Sequence, residues 1–160
     1  MRDSSKAAIL AAILFVVSYP GPAWAQGIGY GVAGVGGVTG WFGGGPAYQV
    51  AGGGELLFRK TAGVGGEVGL FGNSGSALWL TSANGVVHLP IGSEASPFVT
   101  GGYSRLSSGE GVFHAWNVGA GADIWAAQHV GVRVEARDHI RRDFRGTVHY
   151  FIIRAGIALK

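Results

Sequence analysis

The chain reads as an all-β protein, an eight-stranded antiparallel up-and-down transmembrane β-barrel after a cleaved signal peptide. Three observations predict it. A leader-like segment opens the sequence, apolar and polar residues alternate through the rest, and charges are few and collect on one strand face.

The leader comes first. Arg2 and Lys6 precede an uncharged apolar run, Ala7 to Val17, and the small-x-small triplet Ala23-Trp24-Ala25 follows. A positive n-region, a short apolar h-region and an A-x-A site define a secretory signal peptide. The run is shorter than the roughly 20 apolar residues of a transmembrane helix. The expected division is therefore 1–25, signal peptide, and 26–160, one outer-membrane barrel domain.

Composition narrows the class. Charged residues are 13% of the chain, about half the share usual in soluble domains. Glycine numbers 31, interleaved with aliphatic and aromatic residues rather than with Ser, Gln or Pro tracts. The net charge of +3 is too small to point to a nucleic-acid partner. Cysteine is absent, which removes disulfides and thiolate metal sites.

Alternation identifies the strands. Val64, Gly66, Val68 and Leu70 oppose Gly65, Glu67 and Gly69. Trp116, Val118, Ala120, Ala122 and Ile124 oppose Asn117, Gly119, Gly121 and Asp123. Val130, Val132, Val134 and Ala136 oppose Gly131, Arg133, Glu135 and Arg137. Over 147–160, His149, Phe151, Ile153, Ala155, Ile157 and Leu159 oppose Tyr150, Ile152, Arg154 and Gly156. Weaker patterns over about 27–40, 49–60, 78–89 and 97–105 bring the number to eight. Turn signals fall at 42–47, 60–62, 72–76, 90–97, 107–111, 126–129 and 140–146. Strands of about 9–11 residues fit eight into this length, not ten.

Sparse charge and a charge-free face place lipid outside. Aromatic residues near strand ends read as interface girdles: Trp41, Tyr48, Phe71, Trp79, Tyr103, Phe113, Trp116 and Tyr150 at one rim, Phe58 and Phe98 at the other. Trp125 falls on the charged face unless its strand ends there. With the amino terminus in the periplasm, parity turns 42–47, 72–76, 107–111 and 140–146 outward.

The leader, Pro97-Phe-Val-Thr-Gly-Gly-Tyr-Ser104, Asn117-Val-Gly-Ala-Gly-Ala-Asp-Ile-Trp125 and, best, Val130-Gly-Val-Arg-Val-Glu-Ala-Arg-Asp138 resemble the small outer-membrane β-barrel family related to the OmpA transmembrane domain. The resemblance implies a bacterial outer-membrane location, the barrel-insertion machinery and outer-membrane lipids as partners, and a monomer. The chain departs from the usual aromatic carboxy terminus by ending Ala158-Leu159-Lys160.

Inside an eight-strand barrel there is just room for side chains. Glu55, Glu67, Asp123, Arg133, Glu135, Arg137 and Arg154 are expected there as a structural charge network. Strands two and three face strands six and seven, so Glu55 and Glu67 should meet Arg133 and Arg137 across the lumen. A gate or ion path is the alternative use of the same residues.

Catalytic and metal sites and cofactors are not expected. Gly29-Tyr-Gly31-Val-Ala-Gly34 matches G-x-G-x-x-G but lies within a strand, where a dinucleotide loop must open a helix. His88, His114, His129, His139 and His149 lack metal spacing and read as solvated or rim residues. Asp138-His139 resembles the Asp-His pair of omptin proteases, whose fold has ten strands. The His-x-Ser pair of the outer-membrane deacylases is missing.

The predicted role is structural, in envelope integrity. One alternative is a surface-binding module recognising lipopolysaccharide or acidic glycans through loop 140–146, by Arg141, Arg142, Phe144 and Arg145. Another is a soluble periplasmic barrel holding a small apolar ligand.

Overall fold

The computed structural model describes residues 25–41, 43–73, 76–89, 94–109 and 111–160. The predicted signal peptide lies outside them except for Ala25, which opens the first strand. Eight strands follow: β1 (Ala25–Gly40), β2 (Gly43–Phe58), β3 (Ala62–Asn73), β4 (Ser76–His88), β5 (Ala95–Ser108), β6 (Gly111–Trp125), β7 (Val130–Asp143) and β8 (Gly146–Leu159). Each pairs antiparallel with the next, and β8 closes on β1, with Gly29 opposite Leu159 and Thr39 opposite His149. Closure pairs every strand on both sides, the condition for crossing a bilayer with strands.

The strands hold 12 to 16 residues, more than a bilayer requires. The expected outer connections shrink accordingly. Residues 43–47 belong to β2, 72–73 to β3, 107–108 to β5 and 140–143 to β7. Continuing the ladder past the membrane keeps backbone donors and acceptors paired. Gly43, Gly111 and Gly146 have φ of 101°, 152° and 142° where the chain re-enters at this far end, a conformation glycine adopts without a Cβ penalty. At the end holding the termini, Arg59 and Lys60 have φ of 52° and 62°. Thr61 N–H donates to the Phe58 carbonyl at 3.2 Å. Two consecutive left-handed residues make this a type I′ hairpin turn.

Alternation settles inside and outside. Val35, Val50, Val64, Val99, Val118, Val132, Ile153 and Ile157 are exposed on the outer wall. Glu55, Glu67, Asp123, Arg133, Glu135, Arg137 and Arg154 are buried within. A soluble barrel would have these faces exchanged.

The interior is layered. Ile28, Tyr30, Val32, Ala51, Leu57, Val86, Phe98 and Ala158, with Trp125 against them, form one apolar cluster toward the termini. Val38, Ala47, Phe71, Leu80, Leu106, Ala115, Val148, Tyr150 and Ile152 form another toward the far end, with Leu78 and Phe113 packed on it. The girdle expectation is corrected at four positions. Phe71, Phe98 and Tyr150 are buried in the lumen and Phe113 packs with them. Phe71 shares the face of Glu67, and Tyr150 that of Arg154, so parity sends them inward despite their place near strand ends. Trp41, Tyr48, Trp79, Tyr103, Trp116 and Phe58 are exposed. Trp125 keeps its inward parity at the end of β6, and the Lys160 ammonium lies 3.8 Å from its ring.

Candidate functional site

The most concentrated chemistry lies between the two apolar clusters. Arg133 on β7 is fully enclosed and answers two carboxylates at once. Its Nη1 and Nη2 donate to Glu55 Oε1 and Oε2 at 2.7 and 3.0 Å. Its Nε and Nη2 donate to Asp123 Oδ1 and Oδ2 at 2.7 and 2.8 Å. Both are bidentate forks, the strongest arrangement for guanidinium and carboxylate. The Tyr30 and Phe98 rings lie 4.1 and 4.5 Å from its Cζ, so the cation is sandwiched as well as paired. His88 on β4 completes this group, with Nε2 at 3.0 Å from Glu55 and Nδ1 at 3.0 Å from the Ser96 hydroxyl.

A second group centres on Glu67. Arg154 Nη1 and Nη2 donate to its Oε1 and Oε2 at 2.8 and 2.6 Å. Arg154 Nη2 and Nε also donate to Glu135 Oε2 at 2.8 and 3.1 Å. Arg137 Nε donates to Glu135 Oε1 at 2.6 Å and its Nη1 stands 3.5 Å from Glu67. Tyr30 donates to Glu67 at 3.0 Å. Gln49 donates to Glu67 at 3.4 Å and accepts from Arg154 at 3.3 Å. Beyond this group lies a neutral polar layer. Ser82 and Ser104 hydroxyls share a 2.8 Å bond, Asn117 donates to Ser104 at 2.9 Å, and Ser104 meets His139 Nδ1 at 3.0 Å.

Buried charges persist when paired and hydrogen-bonded. All seven charged residues expected in the lumen lie in it, and every one is engaged. Sequence reasoning missed His88, Gln49 and Tyr30, which complete the two groups. It also placed His88 and His139 in solvent or at the rim, where the structure encloses both. The signal for them was face parity with Asn84 and Arg137, obscured in β4 by weak alternation.

Glycine makes room for the network. A Cβ on Gly53 would meet the Tyr30 hydroxyl at 2.6 Å and ring Cζ at 2.7 Å, and one on Gly119 would meet Glu135 Oε1 at 2.8 Å.

The basic segment 140–146 has a different shape from the expected loop. Arg141 and Arg142 sit at the end of β7, on opposite faces. Arg141 donates to Asp143 at 3.2 Å and covers the Phe113 ring at 4.1 Å. Arg142 is exposed on the outer wall. Phe144 is 91% exposed in the turn, and the Arg145 guanidinium lies 4.9 Å from the Trp41 ring and 5.1 Å from that of Phe144. The three arginines therefore point to three surroundings and do not form one cluster.

Asp138 and His139, neighbours in sequence, lie on opposite faces of β7. Asp138 faces outward and contacts His149 Nδ1 at 2.7 Å. Among the described residues no group of three His, Asp or Glu side chains converges as metal ligands.

No family model and no curated protein matches this chain. Solved structures do. Neisserial surface protein A is 12% identical, with a TM-score of 0.69 over 85% of this chain and 98% of that one. The amino-terminal β-barrel domain of OprF from Pseudomonas aeruginosa is 16% identical, with a TM-score of 0.60 over 84% and 98%. The outer-membrane protein OprG, also from Pseudomonas aeruginosa, is 9% identical, with a TM-score of 0.58 over 86% and 95%. At these identities the likeness is one of fold, and it agrees with the apolar outer wall, aromatic rims and closed register. The chain has the closed eight-stranded antiparallel fold of these small outer-membrane β-barrels.

Proposed function

We propose that the protein is a monomeric wall element of the outer membrane, without catalysis, whose role is to maintain envelope integrity. The observation that carries this reading is the filled lumen, with two interlocked charge groups held between two apolar clusters. Open depressions of about 330 and 550 Å³ lie at the far mouth and at the terminal mouth, with the charge groups between them. A gate or ion path would need water where the arginine–carboxylate forks stand. The termini lie on the periplasmic side and the short far turns at the cell surface, in keeping with even strand number.

Two measurements test this. The barrel reconstituted in a planar bilayer is expected to give no steady single-channel steps. Cells lacking it are expected to admit bulky hydrophobic antibiotics more readily, with recovery on complementation. Stable conductance, or an unchanged barrier, would sink the reading.

A second reading is favoured by one observation. The exposed Phe144 and Arg145 in the far-rim turn offer apolar and cationic contact to a phosphorylated or acidic surface glycan. Guanidinium groups suit phosphate bidentately. Binding of purified lipopolysaccharide, compared with a barrel carrying Phe144→Ala and Arg145→Gln, tests whether the rim turn takes part.

A further inference from the structure

We propose that the outward wall of β5, β6 and β7 near the far rim binds the phosphate of an outer-leaflet glycolipid, through Arg105 and Arg142 flanking His114. The inference rests on the surface-side orientation and glycolipid partner proposed above, and assigns the contact to the wall and not to the turn.

Register brings the three residues together. Arg105 pairs with His114 across β5 and β6. The β6–β7 ladder ends at the pair Trp116 and Ile140, and the same register continued two residues beyond that pair would put His114 beside Arg142. All three are exposed and share the outward parity of their strands. Strands lie about 4.8 Å apart, so Arg105 and Arg142 start about 10 Å from each other. Two arginine side chains closing from that separation can grip one phosphate between them.

Depth selects the ligand. One step toward the middle of the wall come Tyr103 and Trp116, ring centroids 5.8 Å apart and edge to face, and below them Val118 and Val99. Exposed aromatic rings mark the headgroup level of a bilayer, so the basic row stands where lipid phosphates lie. Acyl chains attached to such a headgroup would run down the valine wall. A soluble anion would gain nothing from that wall.

The charges are unspent. The lumen arginines are each held by carboxylates, and Arg141 is held by Asp143. Among the described residues the side chains of Arg105 and Arg142 make no hydrogen bond or ion pair. His114 is fixed between them: its Nδ1 shares a hydrogen bond with the Tyr103 hydroxyl and its ring stacks on Tyr103 at 5.6 Å. Among the described residues, an acid on the same wall, Asp138, lies two residues below the aromatic step, and its Oδ2 contacts His149 Nδ1 at 2.7 Å.

The test uses the whole barrel purified from outer membranes in detergent, with bisphosphorylated lipid A as the probe and native mass spectrometry as the readout. Arg105→Gln with Arg142→Gln is expected to weaken binding about tenfold or more, the scale of losing charge-assisted bonds to phosphate. Lipid A stripped of its phosphates should bind the unaltered barrel with a similar loss, a comparison that needs no variant to fold. Inorganic phosphate in excess should compete poorly. Unchanged binding in the double variant, or equal binding of the dephosphorylated lipid, overturns the proposal. Equal occupancy by inorganic phosphate alone overturns the glycolipid assignment. Loss with Phe144→Ala and Arg145→Gln, but not with the wall variant, leaves the rim reading standing and removes this one. Detergent exposes both ends, so the result is independent of the orientation, which is tested separately by labelling.

Discussion

Arg154 and Glu67 stand 87 residues apart in sequence, yet two of the guanidinium nitrogens donate to the two carboxylate oxygens at 2.8 and 2.6 Å. The pair ties β8 to β3 across the lumen, so it forms only when the ring has closed with its strands in register. A one-residue slip of either strand would turn its charge into lipid. The network therefore selects register as well as filling space.

The pair predicts a specific pattern of stability. Glu67→Gln leaves Arg154 with part of its compensation removed, and breaking a buried pair from one side costs about 3–5 kcal/mol. Adding Arg154→Met removes the orphaned cation, while Glu135 keeps Arg137 at 2.6 Å. The double variant should therefore recover part of the loss. Urea unfolding in lipid vesicles, followed by tryptophan fluorescence, measures the cycle. A double variant as weak as the sum of the two single changes would mean that the pair contributes no coupling.

Strand order and face parity were legible because β6, β7 and β8 carry strong signals on both faces: valine or isoleucine outward, and Asp123, Arg133, Glu135 and Arg154 inward. β1 was harder, since Gly31, Gly34, Gly36 and Gly37 put the same residue on both faces. Partner choice was only partly legible. Opposition of strands suggested Glu67 with Arg133 or Arg137; the tightest partner is Arg154, with Arg137 at 3.5 Å. Parity gives the face of a side chain, but the stagger of strands gives its height, and stagger is a property of the closed ring. Tyr150 and Phe71 were misplaced for the opposite reason. Their parity with Arg154 and Glu67 turns them inward, although they lie near strand ends, where aromatic rings also mark an interface.

A Cβ at Gly53 should be costly. It would fall 2.6 Å from the Tyr30 hydroxyl and 2.6 Å from the Gly66 carbonyl oxygen. Tyr30 is enclosed and bonded to Glu67, so neither it nor the backbone can yield cheaply. Gly53→Ala is expected to destabilise the barrel by about 1–3 kcal/mol, the usual range for overpacking. Outward glycine at Gly31 has open space where its Cβ would go, so Gly31→Ala serves as the control with little change. Equal midpoints for the two variants would refute the packing account.

Orientation gives a third expectation. The turn containing Arg145 and the connection containing Gln128 are at opposite ends of the barrel. The chain has no cysteine, so single cysteines report cleanly. Cysteine at Arg145 should react with an impermeant maleimide on intact cells, and cysteine at Gln128 only after the outer membrane is opened. The reverse pattern would place the far turns in the periplasm and take the outer-leaflet argument with it.

The last expectation concerns the turn between β2 and β3. Its two central residues, Arg59 and Lys60, hold φ of 52° and 62°, where a non-glycine L-residue carries a cost of roughly 1–2 kcal/mol. Asn-Gly is the pair that type I′ turns prefer, and the twist of the flanking strands already matches it. Changing Arg59→Asn and Lys60→Gly together should keep the Thr61 to Phe58 bond and stabilise the barrel by about 1 kcal/mol. The gain is limited because glycine also adds freedom to the unfolded chain. The substitution removes two cations from the end that holds the termini. Comparing unfolding midpoints at low and high salt therefore separates backbone relief, which salt leaves intact, from charge effects, which salt screens. A gain that vanishes in high salt would assign the effect to charge and leave the strained-turn explanation without support.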